Sequence, residues 1–311
     1  MKISGFTFIR NAIELGYPIE ESIASVLPIC DEFVIAAGDS HDGTNELLER
    51  IDSPKVKLIH TRWDPALFVR GAIFAQQTNV ALQACSGDWA FYIQADEVVH
   101  ERDLAIIEVR LRDYLSDRRI EGLLFDYLHF FGDYGQVQTS HNWYAREIRI
   151  VRTGIGVESW HDAQGFRRNG AKLRVAHSGA SMYHYGWVRP PLRLHRKSRA
   201  FNAAYVGEQA ATAPADDEGT YPWGLLHGLR RYTGSHPEVM QARVQAQDWT
   251  LQPTAKAWHK HDHLRIRILS WIENNLLGFR VAESQNYILL SDLPRELSPI
   301  AWKQRLARYR D

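Results

Sequence analysis

An apolar run, Trp89-Ala90-Phe91-Tyr92-Ile93, stops abruptly at Gln94-Ala95-Asp96-Glu97. A strand buried on both faces that ends in acids delivers carboxylates to the carboxyl edge of a sheet, where open α/β sheets take their ligands. The plainer reading is that Asp96 and Glu97 open the next helix, whose N-terminus favours acids. A second polar stretch, Gly38-Asp39-Ser40-His41-Asp42-Gly43-Thr44, follows another buried run. Further along, Trp160-His161-Asp162 and His184-Tyr185 add a carboxylate and two histidines, and Arg189, Arg193, Arg196 and Lys197 form a basic segment. His259-Lys260-His261-Asp262-His263 is dense in metal-ligating types. Alternate residues converge only on a strand face, and Lys260 opposes a cation, so that cluster reads as a solvated turn.

The elements that must place these groups alternate. Residues 3–9, 32–37, 56–60 and 89–93 read as strands, and 18–26, 44–51 and 71–84 as helices. Units of this size specify parallel βαβ construction. Beyond the acids, 104–115 has helical periodicity, whereas 123–131 alternates as a strand with two unlike faces. Strands are also expected at 147–151 and 172–176, with Pro190-Pro191 closing this more antiparallel half. From residue 193 the pattern is helical and basic, 207–220 reads as a mobile loop, and 221–311 as helical pieces.

The chain balances 37 basic against 37 acidic residues over 311, which argues against nucleic acid as a partner. Ten Trp suit flat contacts with sugars or bases, and equally an ordinary core. Two cysteines, Cys30 and Cys85, fit reduced, buried residues rather than a disulfide framework. The N-terminus lacks a signal-peptide pattern, and no apolar stretch approaches the ~20 residues a bilayer requires. A soluble, cytoplasmic protein is expected.

Phe8-Ile9-Arg10-Asn11, the 39–44 loop, Thr78-Asn79-Val80-Ala81-Leu82 ahead of Gly87-Asp88-Trp89, Gln94-Ala95-Asp96-Glu97, His161-Asp162 and His184-Tyr185 occur in that order. Together, over the first two-thirds of the chain, they resemble a family-2 glycosyltransferase of the GT-A fold, of the bacterial surface-polysaccharide and lipopolysaccharide type. The resemblance implies an α/β fold with a Rossmann-like, mostly parallel sheet and a mixed second half over 1–192. A helical C-terminal extension would cover 193–311. It implies an inverting, metal-dependent transfer from a nucleotide-diphosphate sugar, a UDP-sugar first, to a hydroxyl of a glycan or lipid-linked acceptor. Phe8, Arg10, Asn11, Asp39, Asn79, Gln94, Asp96 and Arg189 would bind the donor. Asp96 and His184 would hold Mn²⁺ or Mg²⁺, with Glu97 beside them as a direct or water-mediated partner. Asp162 falls where the family carries its base, with Glu158 in reserve. Arg189 and its basic neighbours would either fold over the diphosphate or form a solvated helix face.

Two positions depart from the family. Gln94 stands where relatives carry the first Asp of an Asp-x-Asp motif, and Ala37 where they carry an Asp that reads uracil. Both are the best support for a second reading, a non-catalytic nucleotide- or sugar-binding module. A nucleotidyltransferase is disfavoured, because its Gly-rich loop is replaced here by Phe8-Ile9-Arg10-Asn11. Residues 265–277 read as a packing or homo-oligomer surface, and lipid-linked acceptors of relatives add peripheral membrane contact as an alternative.

Overall fold

The computed structural model describes residues 1–207, 221–251, 262–278, 280–281 and 285–292. The expected loop at 208–220 and the histidines at 259 and 261 lie outside these. The first part of the chain alternates as its apolar runs dictate: β1 (Ile3–Ile9), α1 (Ala12–Leu15), α2 (Ile19–Val26), β2 (Glu32–Ala37), α3 (Thr44–Glu49), β3 (Val56–His60), α4 (Ala72–Gln83) and β4 (Trp89–Tyr92). β3, β2, β1 and β4 lie side by side and parallel. β1, β2 and β4 are buried almost throughout, which is why they read as unbroken apolar runs.

The second half continues with β5 (Glu97–Val99), α5 (Leu104–Asp113), β6 (Gly122–Phe131), β7 (Gln136–Gln138), β8 (Arg146–Arg152), β9 (Val157–Trp160), β10 (Gly165–Arg168) and β11 (Ala171–Trp187). β8 inserts antiparallel between β4 and β6, and β6 runs parallel to β11. The result is the α/β architecture expected, parallel first and mixed afterwards. β6 differs from expectation in being buried on both faces. Leu123, Phe125 and Tyr127 join a core with α2 and α5, and Leu124 joins one with α4 and β10. β11 is also longer than its sequence suggests. Ser178-Gly179-Ala180 breaks the apolar alternation, but there the strand merely shifts register, with Gly179 at φ 85°, and runs on to Trp187.

Pro190-Pro191 starts an element as well as ending one: Pro191 is the first residue of α6 (Pro191–Val206), where a missing N–H costs nothing. There follow β12 (Leu229–Arg231), α7 (Gln241–Gln245), α8 (Leu264–Ile272) and β13 (Tyr287–Ser291). β12 pairs with β7, and β13 pairs in parallel with β11. Among the described residues no helix is long and apolar enough to cross a membrane.

Candidate active site

The acids after β4 are split by a tight turn in which Gln94 and Glu97 exchange bonds, Glu97 N donating to the Gln94 carbonyl (2.9 Å) and Gln94 N to Glu97 Oε2 (3.0 Å). Glu97 then begins β5, directly opposite His184 on β11. Glu97 is fully buried and accepts both arms of Arg149 at 2.8 Å and the Tyr127 hydroxyl at 2.7 Å. It shares no hydrogen-bond partner with Asp96. Asp96 points the other way, toward His184, Lys197 and Arg189.

Protonation at His184 follows from its neighbours. His129 Nε2 lies 2.7 Å from the Tyr144 carbonyl, which only accepts, so that nitrogen carries the proton. Burial holds both imidazoles below the usual histidine range, His129 furthest, and both are neutral. His129 Nδ1 is then a lone pair, and His184 Nδ1, 3.0 Å away, donates to it. The network therefore assigns a lone pair to His184 Nε2, which faces Asp96 Oδ1 at 3.9 Å. Two acceptors confront each other across a gap that suits a cation. Gly186 keeps the gap open: a Cβ there would stand 2.5 Å from His184 Nε2 and 3.1 Å from Asp96 Oδ2.

Two basic side chains close on the same carboxylate. Lys197 of α6 donates to Asp96 Oδ2 (2.8 Å) and to the Gly186 carbonyl (2.7 Å). Arg189 donates to the Leu15 carbonyl (2.7 Å), lies over Tyr17, and brings Nη2 to 3.7 Å from Asp96. Its Nε and Nη2 are buried and make no hydrogen bond. Burial alone would raise the Asp96 carboxyl, but the Lys197 and Arg189 cations hold it well below the carboxylate range. Burial, then Arg189, pushes Lys197 down to about 8. Two cations to one carboxylate leave the corner with an excess of positive charge, and Arg189 has donors to spare for an anion.

Asp162 occupies the tip of the β9–β10 hairpin, which sequence reading did not resolve as strands. His161 (φ 55°) and Ala163 (φ 62°) flank it in the left-handed region, an uncommon conformation for residues with a Cβ and one that tends to gather at functional sites. Tyr205 of α6 donates to Asp162 Oδ2 at 2.5 Å. Lys197 and Tyr205 are eight residues apart on one helix, so α6 reaches about 12 Å from the Asp96 corner to the hairpin tip. From below, Arg149 Nη1 donates to the Gln164 carbonyl (2.9 Å) and Gln94 Nε2 to that of Ala163 (3.4 Å). Glu158 is exposed on β9, opposite Arg167 in the hairpin register.

Glu147, beneath the tip, is a buried carboxylate that sequence reading passed over. One oxygen accepts from Gln164 Nε2 (2.9 Å) and the other makes no hydrogen bond. Burial, opposed by Arg149, pushes it from 4.5 to about 7. Between those values the folded state keeps the extra proton, so stability falls as pH rises through that window, by about 3 kcal/mol in all. Glu147→Gln keeps the acceptor for Gln164 and removes the charge. Urea unfolding at about pH 5 and about pH 8 should show the wild type losing about 2–3 kcal/mol more than the variant. Parallel pH dependence of the two would show that Glu147 does not titrate in the fold.

The carboxyl ends of β1 and β2 carry the remaining donor candidates. Arg10 Nε meets Asp39 Oδ1 at 3.2 Å, and its guanidinium lies over Trp63. Trp63 packs against Phe8 and Gly38, and its buried Nε1 makes no hydrogen bond. Asn11 adopts φ 54° and accepts from His41 N (3.1 Å). It lines an open cleft of about 460 Å³ with Glu14, Leu15, Arg196 and Arg199. Asn79 is turned elsewhere, its Oδ1 accepting from Ser159 N at 2.7 Å and tying α4 to the hairpin. The structure thus brings Asp96, His184 and Arg189 together, adds Lys197, Gly186 and His129, and leaves Glu97 facing Arg149.

No family model and no curated protein matches the chain. Among solved structures, residues 1–349 of TarS from S. aureus align with a TM-score of 0.38 and 16% identity, covering 68% of each chain. The same protein in complex with UDP-GlcNAc gives 0.37 and 15%, covering 68% of this chain and 69% of that one. The glucosyl-3-phosphoglycerate synthase of Mycobacterium tuberculosis, bound to Mn²⁺, UDP and glucosyl-3-phosphoglycerate, gives 0.28 and 18% over 42% of this chain and 44% of that one. A longer form of TarS is covered over only 39% of its length. Likenesses this loose carry neither donor nor metal across to this chain.

The chain's own donor set fits a divalent cation of the Mn²⁺ or Mg²⁺ type. Asp96 and the His184 lone pair face one another, and Gly186 leaves room between them. Among the described residues no third His, Cys, Asp or Glu completes a cluster. The rest of the shell would fall to diphosphate and water oxygens.

Proposed function

We propose that the chain is a glycosyltransferase that moves a sugar from a nucleotide-diphosphate donor, UDP-linked first, to a hydroxyl of a glycan or lipid-linked acceptor, with inversion. The observation that carries this reading is the gap between Asp96 and the His184 lone pair, held open by Gly186 and bordered by buried Arg189 and half-buried Lys197. A divalent cation bound by Asp96 and His184 would act as a Lewis acid on the diphosphate. Lys197 and Arg189 offset the negative charge that grows as the bond from the sugar carbon to the diphosphate oxygen breaks. Asp162 takes the proton of the acceptor hydroxyl while its oxygen attacks that carbon from the opposite face. Phe8, Arg10, Asp39 and Trp63 form the edge on which the base would lie, and the two free cysteines fit a reducing cytoplasm.

Lys197 at 2.8 Å from Asp96 supports a second reading, in which its ammonium takes the cation's place and the chain binds its nucleotide without metal. Calorimetry with UDP separates the two. The transferase reading expects Mn²⁺ to tighten UDP binding by about tenfold or more, an effect lost in Asp96→Asn and in Gly186→Ala, whose methyl enters the gap. Equal affinity in Mn²⁺ and in chelator would favour Lys197. Failure to bind UDP in either would end both.

A further inference from the structure

α8 carries apolar side chains outward as well as inward. Its inward side holds half-buried Ile266 and Leu269 with buried Ser270, whose Oγ accepts from His141 N (2.9 Å), and in the next turn buried Glu273 accepts from the His141 ring (2.8 Å), Arg280 (3.0 Å) and Val281 N (2.7 Å). Asn274 donates to the carbonyl and hydroxyl oxygens of Thr139 (3.1 Å). The outward side is apolar. Leu264, Ile268 and Trp271 are 65%, 52% and 58% exposed, and at 100° per residue they fall within an arc of about 60°. Leu276 and Leu277 extend the exposed apolar surface in the turn that follows. A surface helix ordinarily turns a polar face to solvent, and a coherent exposed apolar stripe marks an interaction surface.

Charge identifies the partner. Arg265 and Arg267, both exposed, lie on either flank of the stripe. Long basic side chains beside an apolar face with a tryptophan suit an interfacial helix, whose stems lie along lipid while the guanidinium groups reach the phosphates. The C-terminal residues 293–311 carry Arg295, Lys303, Arg305, Arg308 and Arg310 against Glu296 and Asp311. This surplus of positive charge, like the arginines at the stripe, suits an anionic partner. A two-fold contact between copies through this stripe would set Arg265 and Arg267 of one copy near the like charges of the other.

We propose that the Leu264-Ile268-Trp271 stripe seats the protein on a bilayer surface rich in anionic lipid. The test is sedimentation of the full chain with vesicles of phosphatidylcholine alone and of equal parts phosphatidylcholine and phosphatidylglycerol. The wild type should sediment with the anionic vesicles and not with the neutral ones. Ile268→Glu/Trp271→Glu and, separately, Arg265→Glu/Arg267→Glu should each weaken that binding by about tenfold or more. All four side chains face outward, so melting temperatures should hold; if the first pair melts early, the arginine pair decides. No sedimentation of the wild type, or sedimentation that neither pair weakens, overturns the proposal. A wild-type dimer in light scattering that the first pair dissolves, without vesicle binding, would assign the stripe to a second copy and overturn it equally.

Discussion

Asp162→Asn should lower the turnover of sugar transfer by about 10²- to 10⁴-fold and leave UDP affinity at the wild-type level. The asparagine keeps the shape of the side chain, and its amide oxygen still accepts the Tyr205 hydroxyl, so the hairpin tip should stay in place. It lacks a carboxylate to receive the acceptor's proton, and the loss belongs to chemistry. The donor's anchoring groups, Asp96, His184, Lys197 and Arg189, lie toward the other end of α6, about 12 Å along the helix, which is why binding and turnover should separate. Kinetics under donor saturation, together with UDP calorimetry on the same variant, check both halves. Turnover within about threefold of wild type would remove Asp162 from the reaction, since a missing general base cannot cost so little.

What the sequence makes legible here is local, and what it hides is pairing over distance. The parallel strands β1, β2 and β4 announce themselves because both of their faces are buried and, Glu32 at the start of β2 apart, their positions are apolar or small. Asp96 stands out because it ends such a run, and His184 because a family resemblance points to it. His129 gives no such sign. It sits in an alternating strand, 55 residues from His184, and acquires meaning only when β6 and β11 pair. Lys197 is one of several basic residues in its segment, and only the seating of α6 brings it rather than Arg196 to Asp96. From the sequence Arg189 belongs to a basic segment that folds over the diphosphate or forms a solvated helix face; in the structure it is buried against Tyr17 and Leu15, because β11 carries it inward before the helix begins. The bend at His161 and Ala163 is equally silent, since neither is the glycine that normally advertises a left-handed residue.

Arg149→Leu should destabilise the fold by about 3–5 kcal/mol. The guanidinium is fully buried, lies between the Tyr92 and Tyr127 rings, and gives both arms to a carboxylate that is itself fully buried. Removing it strands the Glu97 charge in a site shielded from solvent, and takes a donor from the Gln164 carbonyl. Arg149→Lys keeps the charge but not the paired geometry, so it should recover only part of the loss. Glu97→Gln/Arg149→Leu removes the stranded charge while keeping an acceptor for Tyr127, and should be more stable than Arg149→Leu alone. Urea unfolding of the four proteins checks the order. A single variant within about 1 kcal/mol of wild type would show that Glu97 finds other compensation. The same residue fastens the two halves of the proposed site: through Glu97 it fixes the turn that aims Asp96, and through Gln164 it fixes the tip that carries Asp162. At temperatures where Arg149→Lys remains folded, its turnover should therefore fall more than its affinity for UDP, because small displacements of a base from its substrate cost rate before they cost binding.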